Sequence, residues 1–343
     1  MALGTNHTTN VSADAFIPEL WSDEVIASYK QATVMSNIVS RLLHKGKRGD
    51  SIHIPTPGRG EASRKVASSQ VNLVNDLAGD INVLIDQHFE FSRLIEDITE
   101  VQALSSMRQF YTDDAGFGLA KAVDRELHGL SVEYNGGTKA GADWAGAFSG
   151  ADGTTAFDNT NPVATSGDLT DLSLRAAIQR MDETDSPMQG RYMVLPPVAK
   201  NDLLGINRYV SDEFAARGGN SPVKTGILGD LYGVEIFHST AVPYLHHNSV
   251  DDSIATTFTA AAPTGAAFVD AYGNVSDWTA ATDTVFRAIP IAHKDASVLV
   301  EQMGVTSQVQ YLQEYLGTLY TSHTIFGRAM LRPEAGTALI IPA

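Results

Sequence analysis

The chain has no cysteine in 343 residues, which excludes disulfide staples and thiolate metal sites and leaves packing, or partner subunits, to supply stability. Bases are scarce as well: 24 Lys and Arg stand against 40 Asp and Glu, a formal net charge of −16. Coating nucleic acid needs clustered cations to neutralise phosphates, so the body of the chain is excluded from that class. No run approaches the roughly 18 apolar residues of a membrane span. The opening MALGTNHTTNVSADAF has neither the basic nor the apolar region of a secretory signal. These absences predict a soluble protein, without a membrane segment, that is assembled in a cytoplasm.

What is present is enough to fold. Hydrophobic residues make up 43% and charged residues 19%, so the chain can offset the entropy of ordering, and its length fits two domains or one large irregular one. Near the start, Ser22 can cap a short amphipathic helix through Val25, Ile26 and Tyr29. Phe16, Ile17, Leu20 and Trp21 precede it on an arm with little chain of its own to bury them. Their host is either their own domain or a neighbouring subunit.

Ile52 and Ile54, and then Ile81, Val83 and Ile85, alternate with polar residues as strands do. Between them Pro55 to Asp80 is too long for a tight turn, which predicts a long hairpin projecting from the body. Arg41, Lys45, Lys47, Arg48, Arg59, Arg64 and Lys65 fall together around it. A basic projection on an acidic body suggests self-complementarity; otherwise it is a solvated loop.

With Asp97 as a possible cap, Ile98, Val101, Leu104, Tyr111, Leu119, Ala122, Val123 and Leu127 form one helical stripe. Gly129 is its expected stop and Gly116 and Gly118 its expected bends. Residues 135–168 read as a Gly/Ala/Thr/Asp loop between two bodies, with Trp144 partly ordered on a surface. Alternating segments follow: LTDLSLRAAIQRMDE as helix, RYMVLPP as strand, VAKNDLLGI as short helix and VEIFHSTAVP as strand, an α+β pattern. A second Ala/Thr/Gly insert covers 251–284, and the end reads as long strands with a break at Gly327 before a final strand from Ala338 to Ile341.

Catalytic signals are weak. Gly226, Gly229 and Gly233 spell neither the dinucleotide fingerprint nor a P-loop, and the β-type VEIFHS that follows them offers no helix N-terminus to a phosphate. They read as turn residues. His246, His247, Asp251 and Asp252 could bind a metal ion, but adjacent histidines lack the i, i+4 pairing of helical metal sites, so a polar loop is preferred. Ser239 beside His238 lacks the strained turn of a nucleophile. Asp113–Asp114 and Asp182–Glu183 read as solvated helix faces. The expectation is a protein that is not an enzyme, with no cofactor and no metal.

In this order the segments resemble the major capsid proteins of tailed bacteriophages, the group with the Hong Kong 97 type fold. The closest likeness lies in LTDLSLRAAIQRMDE, RYMVLPP, VAKNDLLGI and GILGDLYGVEIFHSTAVP, and in the closing TIFGRAMLRPEAGTALI. The resemblance implies an N-terminal arm at 1–45, an extended β-hairpin loop at 46–90 and a peripheral domain with a long spine helix at 91–165. It further implies an axial domain at 166–285, carrying the glycine turn, and returning strands at 286–343. The implied function is a shell of hexamers and pentamers around double-stranded DNA, located in the virion capsid. Implied partners are other copies, a separate scaffolding protein (since the arm begins almost at once), a portal, and in some cases a cement protein. Inter-subunit contacts are expected at Trp21, Lys47, Arg48, Arg59, Arg64 and Lys65, facing Glu96, Asp97, Glu100, Asp113 and Asp114, with Asp124 and Glu126 in the same acidic region. Lys65 is not assigned the covalent Lys–Asn crosslink of some relatives. An encapsulin-like compartment is the alternative of the same fold, and a metal-dependent hydrolase the alternative of another class.

Overall fold

A computed structural model describes residues 33–43, 49–56, 62–71, 73, 79–96, 107–139, 143–210, 228–248, 253–260, 268–269, 275–276 and 284–343. In chain order, β1 (Ser40–Leu43), β2 (Ser51–Thr56), β3 (Gly79–Leu84) and β4 (Gln87–Glu96) lead to helix α1 (Met107–Gly129). Next come β5 (Ala147–Ser149), α2 (Asp171–Glu183), β6 (Arg191–Leu195), α3 (Pro197–Leu204), β7 (Val234–His238), β8 (Tyr244–His247) and β9 (Ile254–Thr257). The two-residue strands β10 (Phe268–Val269) and β11 (Val275–Ser276) precede β12 (Val285–His293), β13 (Ser297–Leu312), β14 (Gly317–Met330) and β15 (Gly336–Pro342).

One sheet runs β5-β15-β12-β6-β7, with β8 on β12 and β9 on β8. Its central strands read as continuous apolar runs because both faces are covered. Period-two geometry divides them. Tyr192, Val194, Ala288, Ala338 and Ile340 enter one cluster with Tyr134, Trp144 and Phe286. Met193, Leu195, Ile289, Ile291, Leu339 and Ile341 enter the other, against Leu174, Ala177 and Met181 of α2 and Ala199 and Leu203 of α3. Helix α2 starts at a reciprocal cap, in which Thr170 Oγ1 accepts from the Ser173 N–H and Ser173 Oγ from the Thr170 N–H.

The second sheet is β1-β13-β14-β4. Helix α1 crosses it, with Gly118 facing Phe91 of β4 at a distance where a Cβ would make ordinary contact, 3.8 Å from the ring. Strands β2 and β3 pair as a hairpin from Ser51↔Leu84 to Thr56↔Gly79. The hairpin is rooted on the second sheet by Val83 against Val298 and Val300.

Several sequence expectations need correction. Trp144 is fully buried rather than on a surface. Its Gly-rich segment is core because glycine allows backbone to meet backbone: a Cβ on Gly146 would fall 1.9 Å from the Tyr134 carbonyl oxygen. Gly327 breaks nothing, since β14 runs through it, and a Cβ there would meet the Leu84 carbonyl at 2.5 Å, so the glycine admits the β3–β4 junction. Helix α1 continues through Gly116 and Gly118 and stops at Gly129, where the sequence placed its end. Its expected beginning near Asp97 lies outside the described residues.

Candidate assembly surfaces

The β2–β3 hairpin carries the first surface. The described pairing of β2 with β3 runs to Thr56↔Gly79, and Arg64, Lys65, Val66 and Val71 are all exposed, with Leu73 91% accessible. A leucine that open is costly to leave in water, so the hairpin presents apolar and cationic groups together. Lys47, Arg48 and Arg59 lie outside the described residues.

The acidic counterpart is narrower than the sequence suggested. Glu96 is exposed at the far end of β4, opposite Gly317; Asp113 is exposed on α1 and Asp114 half-buried. Asp97 and Glu100 lie outside the described residues. Asp124 and Glu126 are spent inside the subunit. Asp124, 1% exposed, accepts hydrogen bonds from the Val34 N–H at 3.0 Å and the Ser36 N–H at 3.2 Å, with His128 Nε2 3.6 Å away. It therefore ties the arm's root to α1. Glu126 pairs with Arg328 of β14 and locks the helix to the sheet. Sequence spacing cannot report partners 90 and 88 positions away, as for Asp124, or at Arg328, as for Glu126, which is why both acids read as surface groups.

A third surface is a groove of about 240 Å³ between α1 and the second sheet, floored by Leu119, Val123, Leu299 and Phe326. Ser36 forms part of its wall, and Arg41 and Glu301, 3.8 Å apart, stand at its rim. No motif announced it, because its residues come from four separate segments. Trp21 lies outside the described residues.

The fourth feature is the turn before β7. Gly229 (φ 51°), Tyr232 (φ 53°) and Gly233 (φ 79°) adopt left-handed backbone, which suits glycine and strains tyrosine. Gly226 lies outside the described residues. Tyr232 is held there by its hydroxyl, which donates to Asp171 Oδ1 at 2.5 Å. Asp171 also accepts from the Tyr209 hydroxyl and from an Arg208 Nη at 2.8 Å, and forms an ion pair with Arg175 Nε at 3.0 Å. Burial pushes its carboxyl up, but the two hydroxyls and two guanidiniums outweigh that and hold it below the ordinary carboxylate value. One carboxylate thus joins α2, the segment at 207–210 and the turn.

No protein-family model and no curated protein matches the sequence. Solved structures do. The capsid of the cyanophage P-SCSP1u matches with a TM-score of 0.68 at 20% identity, over 98% of this chain and 96% of that one. The acid-stable capsid of Helicobacter pylori bacteriophage KHP30 gives 0.66 at 11% identity, over 99% and 100%. A chain of Mycobacterium phage Che8 gives 0.63 at 19% identity, over 94% and 97%. The chain has the tailed-phage capsid fold.

Two of the residues considered for catalysis, His246 and Ser239, have partners within the fold. His246 and His247 are adjacent on β8 and so point to opposite faces. His246 Nε2 lies 3.1 Å from Thr257 Oγ1 and 3.3 Å from the Thr259 carbonyl, and burial lowers its pKa. Asp251 and Asp252 lie outside the described residues, among which no group of three metal-ligating side chains is found. Ser239 Oγ accepts from the Ala241 N–H at 3.0 Å, closing a turn. Asp182, read as a solvated face, pairs at 2.7 Å with the buried Arg191. Among the described residues no helix is long and apolar enough to cross a membrane.

Proposed function

We propose that this chain is the major capsid protein of a tailed bacteriophage, many copies of which close into an icosahedral shell around double-stranded DNA. The observation that carries this reading is the full-length agreement with capsid subunits, end to end in both chains. The surfaces support it independently: apolar groups as open as Leu73 on a hairpin, Val309 on the second sheet, and Tyr315 and Leu316 in the turn that joins β13 to β14, suit large obligate interfaces. In this reading 46–90 is the extended loop, α1 the spine helix, and 166–285 the axial domain whose Gly229–Gly233 turn faces the capsomer centre. The loop cations Arg64 and Lys65, with Lys47, Arg48 and Arg59, meet Glu96, Asp113 and Asp114 of a neighbour, with Asp97 and Glu100 beside them. Its role is structural rather than catalytic, its place is the virion capsid, and a scaffolding protein and a portal act beside it during assembly. The net charge of −16 keeps packaged DNA from adhering to the wall.

The test is expression of the full chain, alone and with the neighbouring structural proteins of its genome, followed by electron microscopy of the soluble fraction. Closed shells of uniform diameter are expected. Monomers alone in both cases would overturn the reading, and shells loaded with a cargo enzyme would redirect it to an encapsulin-like compartment.

A further inference from the structure

Strand β13 pairs along one edge with β14 as far as Leu312↔Gly317, while along the other β1 pairs no further than Leu43↔Glu301. By Gly49 the chain has turned away: its carbonyl accepts from Gln302 Nε2 at 3.0 Å, and from Ser51 onward it pairs with β3. Among the described residues, no strand lies along that second edge from Met303 to Leu312. A row of backbone N–H and C=O groups of this kind is a template for a further strand.

The edge suits a copy of itself. Its register irregularities end at Thr306, so Thr306–Leu312 is a regular stretch with Val309 at its middle. No Asp, Glu, Lys, Arg or His occurs between 302 and 313, in a chain that is 19% charged, so two such edges approach without like charges meeting. Alternate side chains divide by chemistry. The exposed amides Gln308 and Gln310 share one face; Val309, 66% accessible, and Tyr311, 48% accessible, share the other.

We propose that two copies of the chain pair through Thr306–Leu312, edge to edge, with Val309 on the two-fold axis between them. An axis normal to the sheet makes the pairing antiparallel and isologous, and keeps each face on its own side. Gln308 of each copy then faces Gln310 of the other, where each amide both donates and accepts. On the opposite face Val309 meets Val309, and Ser307 faces Tyr311. The nearest charge in sequence, Glu314, lies five residues past the axis. Its two copies stand on the order of 30 Å apart at about 3.4 Å per residue, well beyond a screening length of about 8 Å. A pairing of this length buries less than the roughly 1,200 Å² at which stable complexes begin. It therefore adds to other contacts in a closed shell and does not hold a dimer in solution. The proposal rests on the shell reading and names one of its contacts.

The natural absence of cysteine makes the test clean. Shells of Val309→Cys, bridged with a short bismaleimide and run on a denaturing gel, are expected to give covalent dimers. Thr306→Cys checks the register: its two copies fall roughly 20 Å apart across the axis. Alone it should give several-fold less dimer, and mixed with Leu312→Cys it should give dimers again. Val309→Cys shells without dimer, or equal dimer from Val309→Cys and Thr306→Cys, overturn the proposal. A second readout avoids crosslinking. Val309→Lys and Val309→Glu are each expected to lower shell yield several-fold while the unassembled subunit keeps its melting temperature. Assembled together they should recover, because only a residue that meets its own counterpart is rescued by the opposite charge; unchanged yield, or a mixture that does not recover, counts against the contact. Failure of these tests in a chain that forms shells defeats only this pairing. Absence of shells from the unsubstituted chain defeats the shell reading itself.

Discussion

Strands β12 and β13 follow each other in the chain and belong to different worlds. In β12 every residue after Val285 is buried, with apolar side chains serving cores on both faces. In β13 only Ser297–Val300 are buried, and Met303, Val305, Val309 and Tyr311 stand in solvent. Strand β1 pairs with β13 no further than Leu43↔Glu301, so among the described residues the remainder of β13 has an open edge. Between residues 302 and 312 there is no Lys, Arg or Pro to blunt that edge, and the register irregularities of β13 are confined to Glu301–Thr306. The first sheet is finished by its own chain, whereas the second has the surface of a part awaiting its neighbours.

The largest effect should come from breaking the finished region. Trp144→Ala empties a fully buried indole site between Tyr134 and the sheet. It should cost about 3–5 kcal/mol, the usual range for a large aromatic, read by denaturant unfolding of the unassembled subunit. A loss below about 1 kcal/mol would mean that the Gly-rich segment is not core. Next comes the root of the arm. Asp124→Ala leaves the Val34 and Ser36 N–H groups without their acceptor in a buried setting, at about 1–3 kcal/mol for each group left unsatisfied. Earlier proteolytic cleavage before residue 37, together with a lower melting temperature, is expected; unchanged cleavage would separate Asp124 from the arm.

The same division governs how much the sequence disclosed. Strands with clean alternation, such as Ile52, Ile54, Ile81 and Val83, were legible because a half-buried strand writes its period into the chain. Helix α2 was legible as the segment LTDLSLRAAIQRMDE, and the structure adds its Thr170 cap and its buried Leu174, Ala177 and Met181. Trp144 was not, because the glycines around it work by permitting backbone contact, and contact at 1.9 Å from a missing Cβ leaves no periodic trace. Asp124 and Glu126 were not, because their partners lie at positions 34, 36 and 328. The groove was illegible for the same reason, since four segments build it. Candidate surfaces on projections were easier to name: Arg64 and Lys65 are recognisable as exposed cations without any knowledge of packing.

The Asp171 hub sharpens the comparison, because it is polar wiring in the region otherwise held by apolar burial. Asp171→Asn removes the charge that Tyr209, Tyr232, Arg175 and Arg208 surround. A net loss of about 2 kcal/mol is expected at pH 7, within the usual worth of hydrogen bonds to a charged group. The pH dependence fixes the sign. The folded carboxyl titrates below its ordinary value of 3.8, so its contribution is complete at neutral pH, declines as the unfolded carboxyl protonates near 3.8, and is lost below the folded value. The substituted chain should therefore lose less stability than the original between pH 5 and about pH 3; parallel acid curves would refute the assignment.

Smallest in the isolated subunit, and most informative in the shell, is charge reversal on the projection. Arg64→Glu with Lys65→Glu alters two exposed groups on a segment that makes no strand pairing. Surface changes of this kind move stability by less than about 0.5 kcal/mol, so the subunit should melt normally. In an assembled shell the same groups recur in every copy. A single exposed pair contributes about 0–1 kcal/mol, yet under the proposed function that small term recurs at every interface, and like charges brought against Glu96 and Asp113 would repel. Shell yield should fall and should recover partly at high salt, where repulsion beyond about 3 Å is screened at 1 M. Full assembly at low salt would show that the projection docks through Val66, Val71 and Leu73 alone, and that its cations only keep the free subunit soluble.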